Sequence, residues 1–301
     1  MKYRPLGATG VQVSTLGLGT NQFGRVVDEA GAKAIIDQAG ELGVNFLDTA
    51  ESYGGGASEE LLGKALAGRR QKFIVATKTG AGDEPGRLTR ERITQRLEAS
   101  LRRLATDYID VYYLHFPDAA TPLEESLHVL DDAKRAGKIR SGAISNHAAA
   151  QVGEATAIAK GHGWAPIAAS QMEYSLVERA VEREMVPACE RAGVSLVPYF
   201  PLAGGFLTGK YERDVPPPPN TRFGRAAQRS RYLTDANFER LAGWKGFAAK
   251  RGHGVGELAV AWLLAHPVVC SVIAGVTVPS QIVQNARAAE WTLTPGDIAA
   301  L

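Results

Sequence analysis

The sequence predicts an α/β fold, a (β/α)8 barrel of the TIM type, on three observations. Short apolar segments recur eight times along the chain, helical patterns lie between them, and the chain has 301 residues. Eight strand–helix units in about 250 residues or more are typical of this barrel. We therefore expect residues 1–301 to form a single barrel domain, with an N-terminal β-hairpin and a long loop after the seventh strand.

The eight predicted strands are short, contain β-branched or aromatic residues, and are bounded by Gly, Pro or polar residues. Such runs are expected of parallel strands that are buried on both faces. They are LGLGT (16–20), NFLDTA (45–50), KFIVATK (72–78), IDVYYLH (109–115), IRSGAISN (139–146), IAASQMEY (167–174), VSLVPYF (194–200) and SVIAG (271–275).

Two of the intervening segments show clear helical periodicity. Residues 90–104 and 123–136 place Leu or Ile every three or four positions, with charged residues on the opposite face. The second segment stops at Gly137, a residue that commonly ends helices. A doubly wound sheet is the alternative fold, but it requires a glycine-rich turn between the first strand and a helix. The G-x-G formed by Gly17 and Gly19 lies within the strand pattern instead.

Two segments depart from the alternation. The first residues, KYRPLGATGVQVS, predict a hairpin that plugs the floor of the barrel. Residues 202–235 form a long irregular stretch with a run of four prolines and several arginines. Loops this long within a compact domain are usually functional lids or disordered. Few apolar residues occur between positions 210 and 233, so we expect this part to dock weakly until a cofactor binds.

Composition and charge exclude several classes of function. The chain has 34 basic and 32 acidic residues, a net charge of +2, which gives no case for a nucleic acid or an acidic membrane as partner. It contains no apolar run of ~18 residues and no signal-peptide core at its start, so we expect a cytoplasmic protein. Cys189 and Cys270 have no metal or redox spacing and are expected to be buried. The sequence does not predict the oligomeric state.

Polar residues end several of the predicted strands. Asp48 ends the second strand and Tyr53 follows on its loop, Lys78 ends the third strand, and His115 ends the fourth. The active site of such a barrel lies at the carboxyl ends of its strands, so these four side chains are expected to converge there.

The four residue types suggest acid–base chemistry. A phenol with a pKa near ~10 is a poor acid at neutral pH unless a cation stabilises its phenolate. Lys78 can supply that cation, Asp48 can keep the lysine charged, and a neutral His115 can donate a hydrogen bond to a substrate carbonyl. Together they can protonate an oxygen while hydride arrives at the adjacent carbon.

Each of these residues also has an ordinary structural explanation. A strand-end Asp is usually a turn or capping residue, a Tyr before glycines usually packs, and a single His is usually structural. Their combination on three consecutive strands favours a functional site. A metal-dependent barrel enzyme is the weaker alternative, because only Asp48, His115 and Glu173 could serve as ligands; no metal is expected.

The sequence resembles the aldo-keto reductase family over essentially its whole length. The motifs are YRPLGATGVQVSTLGLGT, DTAESYGGGASEELLGKAL, IDVYYLH, the SN that ends the fifth strand, and SVIAGVTVPSQIVQN. The segment YFPLAGGFLTGKY is similar to a motif of the bacterial sugar-type and potassium-channel β-subunit branches. The resemblance implies that Asp48, Tyr53, Lys78 and His115 are the catalytic residues, with Tyr53 as proton donor. The glycines after Tyr53 would let the loop turn it back over Asp48.

The resemblance also implies a nicotinamide cofactor, NADPH with NADH possible, and assigns its contacts. The nicotinamide would contact Ser145, Asn146, Gln171 and Tyr199, and the phosphates would contact Leu202, Gly204, Lys210 and Arg222. The adenosine would contact Thr277, Gln281, Gln284 and Asn285. Further contacts are expected at Gly19, Thr20, Asn21, Asp48, Phe200, Pro201 and Gly275. The substrate pocket would be lined by Asn21, Gln22, Phe23, Phe116 and the long loop.

The function implied is an NAD(P)H-dependent oxidoreductase that reduces aldehydes or ketones to alcohols, reversibly. The alternative is a regulatory subunit that senses the cofactor and retains slow reductase activity, as the channel-subunit branch suggests. The expected partner is a small carbonyl or alcohol substrate, which the sequence does not identify further.

Overall fold

Eight parallel strands close into a barrel in which each strand pairs with the next along the chain and the last pairs with the first. The structure is a computed structural model that describes residues 1–225 and 231–301. The predicted (β/α)8 barrel is thereby confirmed, with a strand at each of the eight predicted segments. The barrel strands are β3 (Leu16–Gly19), β4 (Phe46–Asp48), β5 (Ile74–Thr79), β6 (Ile109–Leu114), β7 (Ile139–Ser145), β8 (Ala169–Glu173), β9 (Ser195–Tyr199) and β10 (Val272–Gly275).

Helices cover the outside of the barrel and bury their apolar faces against it. The two helices with clear sequence periodicity begin and end within one residue of their predicted bounds. The helices are α1 (Glu29–Glu41), α2 (Ala57–Ala65), α3 (Arg90–Arg103), α4 (Leu123–Arg135), α5 (Ala149–His162), α6 (Met185–Ala192), α7 (Arg222–Arg225), α8 (Asp235–Ala249), α9 (Val255–Leu264), α10 (Pro279–Ala288) and α11 (Pro295–Ala299). In the parts of the chain described, none of them is long and apolar enough to cross a membrane.

The N-terminal hairpin closes the floor of the barrel, as predicted. It consists of the antiparallel strands β1 (Tyr3–Pro5) and β2 (Gln12–Ser14). Leu6 and Val13 are fully buried and join the cluster of side chains inside the barrel. The amide of Gly7 donates a hydrogen bond to Ser195 Oγ at 2.8 Å, which fixes the hairpin tip to β9.

Residues predicted to be structural occupy the core. Cys189 and Cys270 are free and buried, as expected, and Trp244 and Trp262 are also buried in the core. Ile93 and Leu97 lie on the buried face of α3, as their spacing predicts. The packed outer layer holds the strands in register, so that polar residues at the strand ends meet at one rim.

The long segment after β9 is better anchored than its sequence suggests. Tyr211, Phe223 and Tyr232 are buried, and their rings form a continuous stack with centroids 4.8 and 5.9 Å apart. Tyr232 and Arg231 also donate hydrogen bonds to Glu173 at the end of β8. The prediction of few apolar anchors is therefore wrong, because three aromatics spaced far apart in sequence meet in space. Residues 226–230, also part of the predicted lid, lie outside the described residues.

Gly17 on β3 provides a test of the packing inside the barrel. A Cβ at this position would overlap Ile273 Cδ1 and lie 3.2 Å from Phe46 Cδ1. We expect Gly17→Ala to lower the free energy of unfolding by about 1–3 kcal/mol, because overpacking forces neighbouring side chains off their rotamers. Urea denaturation measures this difference.

The matched control is Gly153→Ala on α5, where a Cβ would meet nothing within 4 Å. That change is expected to raise the free energy of unfolding by about 0.5–1 kcal/mol, because alanine favours the helix. Equal effects of the two substitutions would contradict this account of the barrel interior.

Candidate active site

Four polar side chains meet at the carboxyl ends of three adjacent strands. Asp48 is the last residue of β4, Lys78 is near the end of β5, and His115 directly follows β6. Tyr53 begins a 3-10 turn on the loop between β4 and α2. Because β4, β5 and β6 are neighbours in the barrel, these side chains share one end of it, as the sequence predicts.

Lys78 is the centre of this cluster and is fully buried. Its Nζ donates hydrogen bonds to Asp48 Oδ1 at 2.6 Å and to the carbonyl oxygen of Thr49 at 2.7 Å. The Tyr53 hydroxyl lies 3.5 Å from the same nitrogen. An ammonium group has three donors, so each of them has an acceptor here.

Asp48 is buried and uses its two carboxylate oxygens on different partners. Oδ1 pairs with Lys78, and Oδ2 accepts a hydrogen bond from Gln171 Nε2 at 2.8 Å. Gln171 comes from β8, on the far side of the barrel from β4. The carboxylate is thus fixed from two directions, and the pair of charges is hydrogen-bonded as a buried pair must be.

The electrostatics of the cluster keep protons on both Lys78 and Tyr53 at neutral pH. Burial acts to lower the pKa of Lys78, but the charges of Asp48 and Tyr53 outweigh it, and the pKa is raised. Burial raises the pKa of Tyr53, and Lys78 only partly opposes this. Lys78 thus acts to lower the pKa of the phenol, as the sequence suggests, but desolvation of the phenolate outweighs this effect and the net pKa is raised.

His115 is a neutral imidazole over the ordinary pH range. Burial, followed by the charge of Lys78, lowers its pKa to about 3. Its ring stacks on Phe116 with centroids 4.7 Å apart and meets Tyr53 edge-on at 6.1 Å. Nδ1 is buried and has no hydrogen-bond partner among the described residues.

Three glycines shape the loop that carries Tyr53. Gly54, Gly55 and Gly56 have φ of 60°, 67° and 101°, a left-handed conformation that residues with a Cβ rarely adopt. This local turn brings the phenol back over Lys78, whose Nζ lies 5.0 Å from the ring centroid. The three glycines thus allow the turn that places Tyr53 beside Lys78, the partner of Asp48.

The residues assigned to the nicotinamide lie together on β7, β8 and β9. Asn146 adopts a positive φ of 60° and donates to the carbonyl oxygen of His115 at 3.0 Å and to Ser145 Oγ at 3.1 Å. The hydroxyl of Tyr199 donates to Asn146 Oδ1 at 2.8 Å. Gln171 joins this group to the acid–base cluster through Asp48, a contact that the sequence did not predict.

Two cations border the turn after β9. The Arg222 guanidinium lies over the ring of Phe200, 4.3 Å from its centroid. Lys210 Nζ lies 3.1 Å from the position that a Cβ of Gly205 would take. Gly204, Leu202 and the buried Pro201 belong to the same turn. The structure therefore brings the predicted phosphate contacts to one place.

The ends of β3 and β10 hold a third group of predicted contacts. Gly19 pairs with Gly275, and Asn21 Oδ1 lies 3.2 Å from the position of a Gly275 Cβ. Thr20 is fully buried and its hydroxyl donates to the carbonyl oxygen of Asp48, so its side chain offers no atom to a ligand. The expectation that Phe23 lines the substrate pocket is wrong, because its side chain is fully buried in the core.

The residues assigned to adenosine lie on and before α10. Gln281 Oε1 accepts from the Thr277 amide at 2.7 Å and lies 3.3 Å from Thr277 Oγ1. Gln284 is exposed and Asn285 is half-buried on the same helix. Among the residues described, no cluster of three or more His, Cys, Asp or Glu side chains could hold a metal ion.

The sequence did not predict the buried polar residues that lie next to the acid–base cluster. Thr49, Ser58 and Glu59 are buried polar residues directly behind Asp48 and Lys78. Glu59 and Glu60 lie in the first turn of α2, where acids are usually exposed. Only the tertiary structure shows that Glu59 faces inward.

Together these features define a (β/α)8 barrel with a buried acid–base cluster at the carboxyl ends of its strands, the place where barrel enzymes carry their active sites. The sequence model of the Aldo/keto reductase family matches residues 15–301. The chain belongs to the aldo/keto reductase family, and the relatives that it matches include oxidoreductases.

Three relatives illustrate the range of the match. The chain is 37% identical to a probable voltage-gated potassium channel subunit beta of Oryza sativa, over 96% of this chain and 91% of the relative. It is 33% identical to the aldo-keto reductase YhdN of Bacillus subtilis, over 99% and 91%. It is 31% identical to an L-glyceraldehyde 3-phosphate reductase of Escherichia coli O157:H7, over 96% and 87%.

The pKa of His115 predicts how stability depends on pH. The folded protein holds this ring neutral down to about pH 3, whereas the unfolded chain protonates it near ~6.5. The stability that the neutral ring contributes is therefore full above pH ~6.5 and is lost as the pH falls towards 3. Between pH 6.5 and 4, wild type is expected to lose up to about 3 kcal/mol more free energy of unfolding than His115→Gln. Parallel urea-denaturation profiles for the two proteins would contradict the burial of a neutral imidazole.

Proposed function

We propose that this protein reduces aldehydes or ketones to alcohols with NAD(P)H, and that Tyr53 is the general acid. The observation that carries the proposal is the buried Lys78 ammonium, which lies between the Asp48 carboxylate and the Tyr53 hydroxyl. A phenol that keeps its proton at neutral pH next to a fixed cation can give that proton to a developing alkoxide. The same cation then stabilises the phenolate that remains.

The other members of the cluster have supporting roles in this proposal. Asp48 keeps the buried Lys78 charged, because its carboxylate offsets the cost of burying the ammonium. His115 is held neutral, so it can donate a hydrogen bond to the substrate carbonyl and does not compete for the proton. The hydrogen bond from His115 would thereby direct the carbonyl oxygen towards the Tyr53 hydroxyl.

The residues present suit a nicotinamide cofactor. When bound, the cofactor supplies the hydride for the carbonyl carbon. Gln171 uses its amide nitrogen on Asp48, which leaves its carbonyl oxygen to accept from a carboxamide. The hydroxyl of Tyr199 is held by Asn146, which fixes the ring as a flat stacking surface. Lys210 and Arg222 supply positive charge where a pyrophosphate would lie.

Three broader properties complete the proposal. Contacts between the N-terminal hairpin and the end of the chain, such as that of Lys2 Nζ with Thr292 Oγ1 at 3.0 Å, support a single domain over residues 1–301. Two free buried cysteines suit the reducing cytoplasm. A small carbonyl compound is the proposed substrate, with Asn21, Gln22 and the exposed Phe116 at the entrance.

A second candidate function is a cofactor-sensing regulatory subunit with slow residual turnover. The observation that favours it is the similarity to probable potassium channel β subunits of Oryza sativa and Arabidopsis thaliana. A sensor needs the cofactor contacts but little turnover. Rapid oxidation of bound NADPH by small reactive aldehydes would favour the reductase, and slow oxidation across a substrate panel would favour the sensor.

Tyr53→Phe is the direct test of the proposed acid. It removes the hydroxyl and keeps the ring that packs against His115, so carbonyl reduction is expected to fall on the order of 10²–10⁴-fold. Turnover is followed by NADPH absorbance, and cofactor affinity, measured by fluorescence titration, is expected to be unchanged. Lys78→Met is expected to cause similar damage. Near wild-type turnover of Tyr53→Phe would show that another group donates the proton.

The cofactor preference gives a further prediction. The segment 275–281 carries no acid that would repel a 2′-phosphate, and Arg222, which borders the turn after β9, is the cation proposed to contact that phosphate. A charge-assisted hydrogen bond contributes about 1.5–3 kcal/mol, so we expect a roughly tenfold or greater preference for NADPH in kcat/KM. Val278, exposed at the surface, donates no hydrogen bond, which limits the preference.

Two arginine variants of α7 test whether Arg222 accounts for the cofactor preference. Arg222→Ala is expected to reduce the ratio of kcat/KM for the two cofactors. Arg225→Ala on the same helix is the control, because its guanidinium donates to the carbonyl oxygen of Asn220 instead. A wild-type ratio that favours NADH would show that the donors are elsewhere.

A further inference from the structure

Two consecutive side chains at the start of α2 are completely buried. Ser58 and Glu59 have no exposed surface, whereas the next residue, Glu60, faces solvent. An acid in the first turn of a helix normally lies in water, where it interacts favourably with the helix dipole. Burial of a carboxylate is costly unless it is paired and hydrogen-bonded. The inward orientation of Glu59 therefore requires an explanation that helix formation does not supply.

Glu59 uses both carboxylate oxygens on partners from other elements. Oε1 accepts a hydrogen bond from Thr77 Oγ1 at 2.6 Å, and Oε2 accepts one from Arg103 Nε at 2.7 Å. Thr77 directly precedes Lys78 on β5, and Arg103 is the last residue of α3. Glu59 thus connects the start of α2 to the strand that carries the buried lysine.

Ser58 connects the same helix to the strands on the other side. Its Oγ donates to the carbonyl oxygen of Thr20 and lies 2.9 Å from both Thr20 Oγ1 and Thr49 Oγ1. These two threonines follow β3 and β4 and are fully buried. The carbonyl oxygen of Thr49 also accepts a hydrogen bond from Lys78. The first turn of α2 is therefore fixed to three successive barrel strands.

These anchors matter because the loop before α2 has little stiffness of its own. Three glycines separate Tyr53 from α2. The Tyr53 hydroxyl lies 3.5 Å from Lys78 Nζ, the longest of the lysine's three contacts and at the limit of a hydrogen bond. The position of the phenol thus depends on where α2 begins.

We propose that Glu59, together with Ser58, is a positioning residue that sets the distance between the Tyr53 hydroxyl and Lys78 Nζ. The inference rests on the proposed function, in which Tyr53 donates a proton to the substrate. A displacement of about 1 Å in a reacting group costs on the order of 10²-fold in rate. A bond that served stability alone would leave the rate of the folded protein unchanged, whereas a positioning residue affects kcat.

The test compares Glu59→Gln with Asp110→Asn. Asp110 is a buried carboxylate at the opposite end of the barrel, where it accepts from the Val75 amide at 2.9 Å and from Arg70 Nη2 at 2.7 Å. Both substitutions weaken a buried ion pair and lower the melting temperature. Only Glu59→Gln is expected to lower kcat, by about 10–10²-fold, while the dissociation constant for NADPH stays within about twofold of wild type.

The pH profile of kcat separates positioning from simple destabilisation. The alkaline limb reports the loss of the Tyr53 proton; burial raises the pKa of this phenol, and the charge of Lys78 acts in the opposite direction. If the phenol moves away from Lys78, the limb shifts to higher pH. We expect this shift in Glu59→Gln and not in Asp110→Asn.

A milder pair of variants keeps the test decisive if Glu59→Gln does not fold. Thr77→Val removes the hydroxyl that binds Glu59 and keeps the shape of the side chain, whereas Thr77→Ser keeps the hydroxyl. Thr77→Val is expected to lower kcat and Thr77→Ser to retain it. Wild-type kcat in both Glu59→Gln and Thr77→Val, with turnover lost in Tyr53→Phe, would overturn this inference alone. Turnover retained in Tyr53→Phe would overturn the proposed function and this inference with it.

Discussion

The buried ammonium group of Lys78 is the constraint on which the rest of the site depends. A charge without solvent is stable only where acceptors are fixed around it, and here those are Asp48, the carbonyl of Thr49 and the Tyr53 hydroxyl. These acceptors come from β4 and the loop after it, next to the strand that carries the lysine. Barrel closure thus places these acceptors around the Lys78 ammonium, which offsets the cost of burying its charge and fixes its position.

Asp48 links two groups of side chains at the carboxyl ends of the barrel strands. One oxygen holds Lys78, on the side of Tyr53, and the other holds Gln171, on the side of Asn146 and Tyr199. Gln171 is therefore connected to the acid–base cluster directly, without an intervening loop. We infer that a displacement of side chains in either group also displaces the other group, because both carboxylate oxygens of Asp48 already accept hydrogen bonds.

The segment after β9 shows how aromatic side chains replace regular structure. Tyr211, Phe223 and Tyr232 pack together although eleven residues separate the first from the second and eight separate the second from the third. Glu173, at the end of β8, then receives two donors from Arg231 and Tyr232. The described residues of this segment are held by side-chain packing and by one carboxylate.

The sequence by itself determined the barrel, its eight strands and the four residues of the acid–base cluster. It could do so because β-strands and helices have distinct apolar periods, and because polar residues at the ends of parallel strands must share one rim. Only the tertiary structure decided that Glu59 faces inward, that Thr20 and Phe23 are inaccessible, and that burial raises the pKa of Tyr53. Those outcomes depend on which side chains meet across the barrel and on how much water they exclude, and no local pattern in the sequence encodes either.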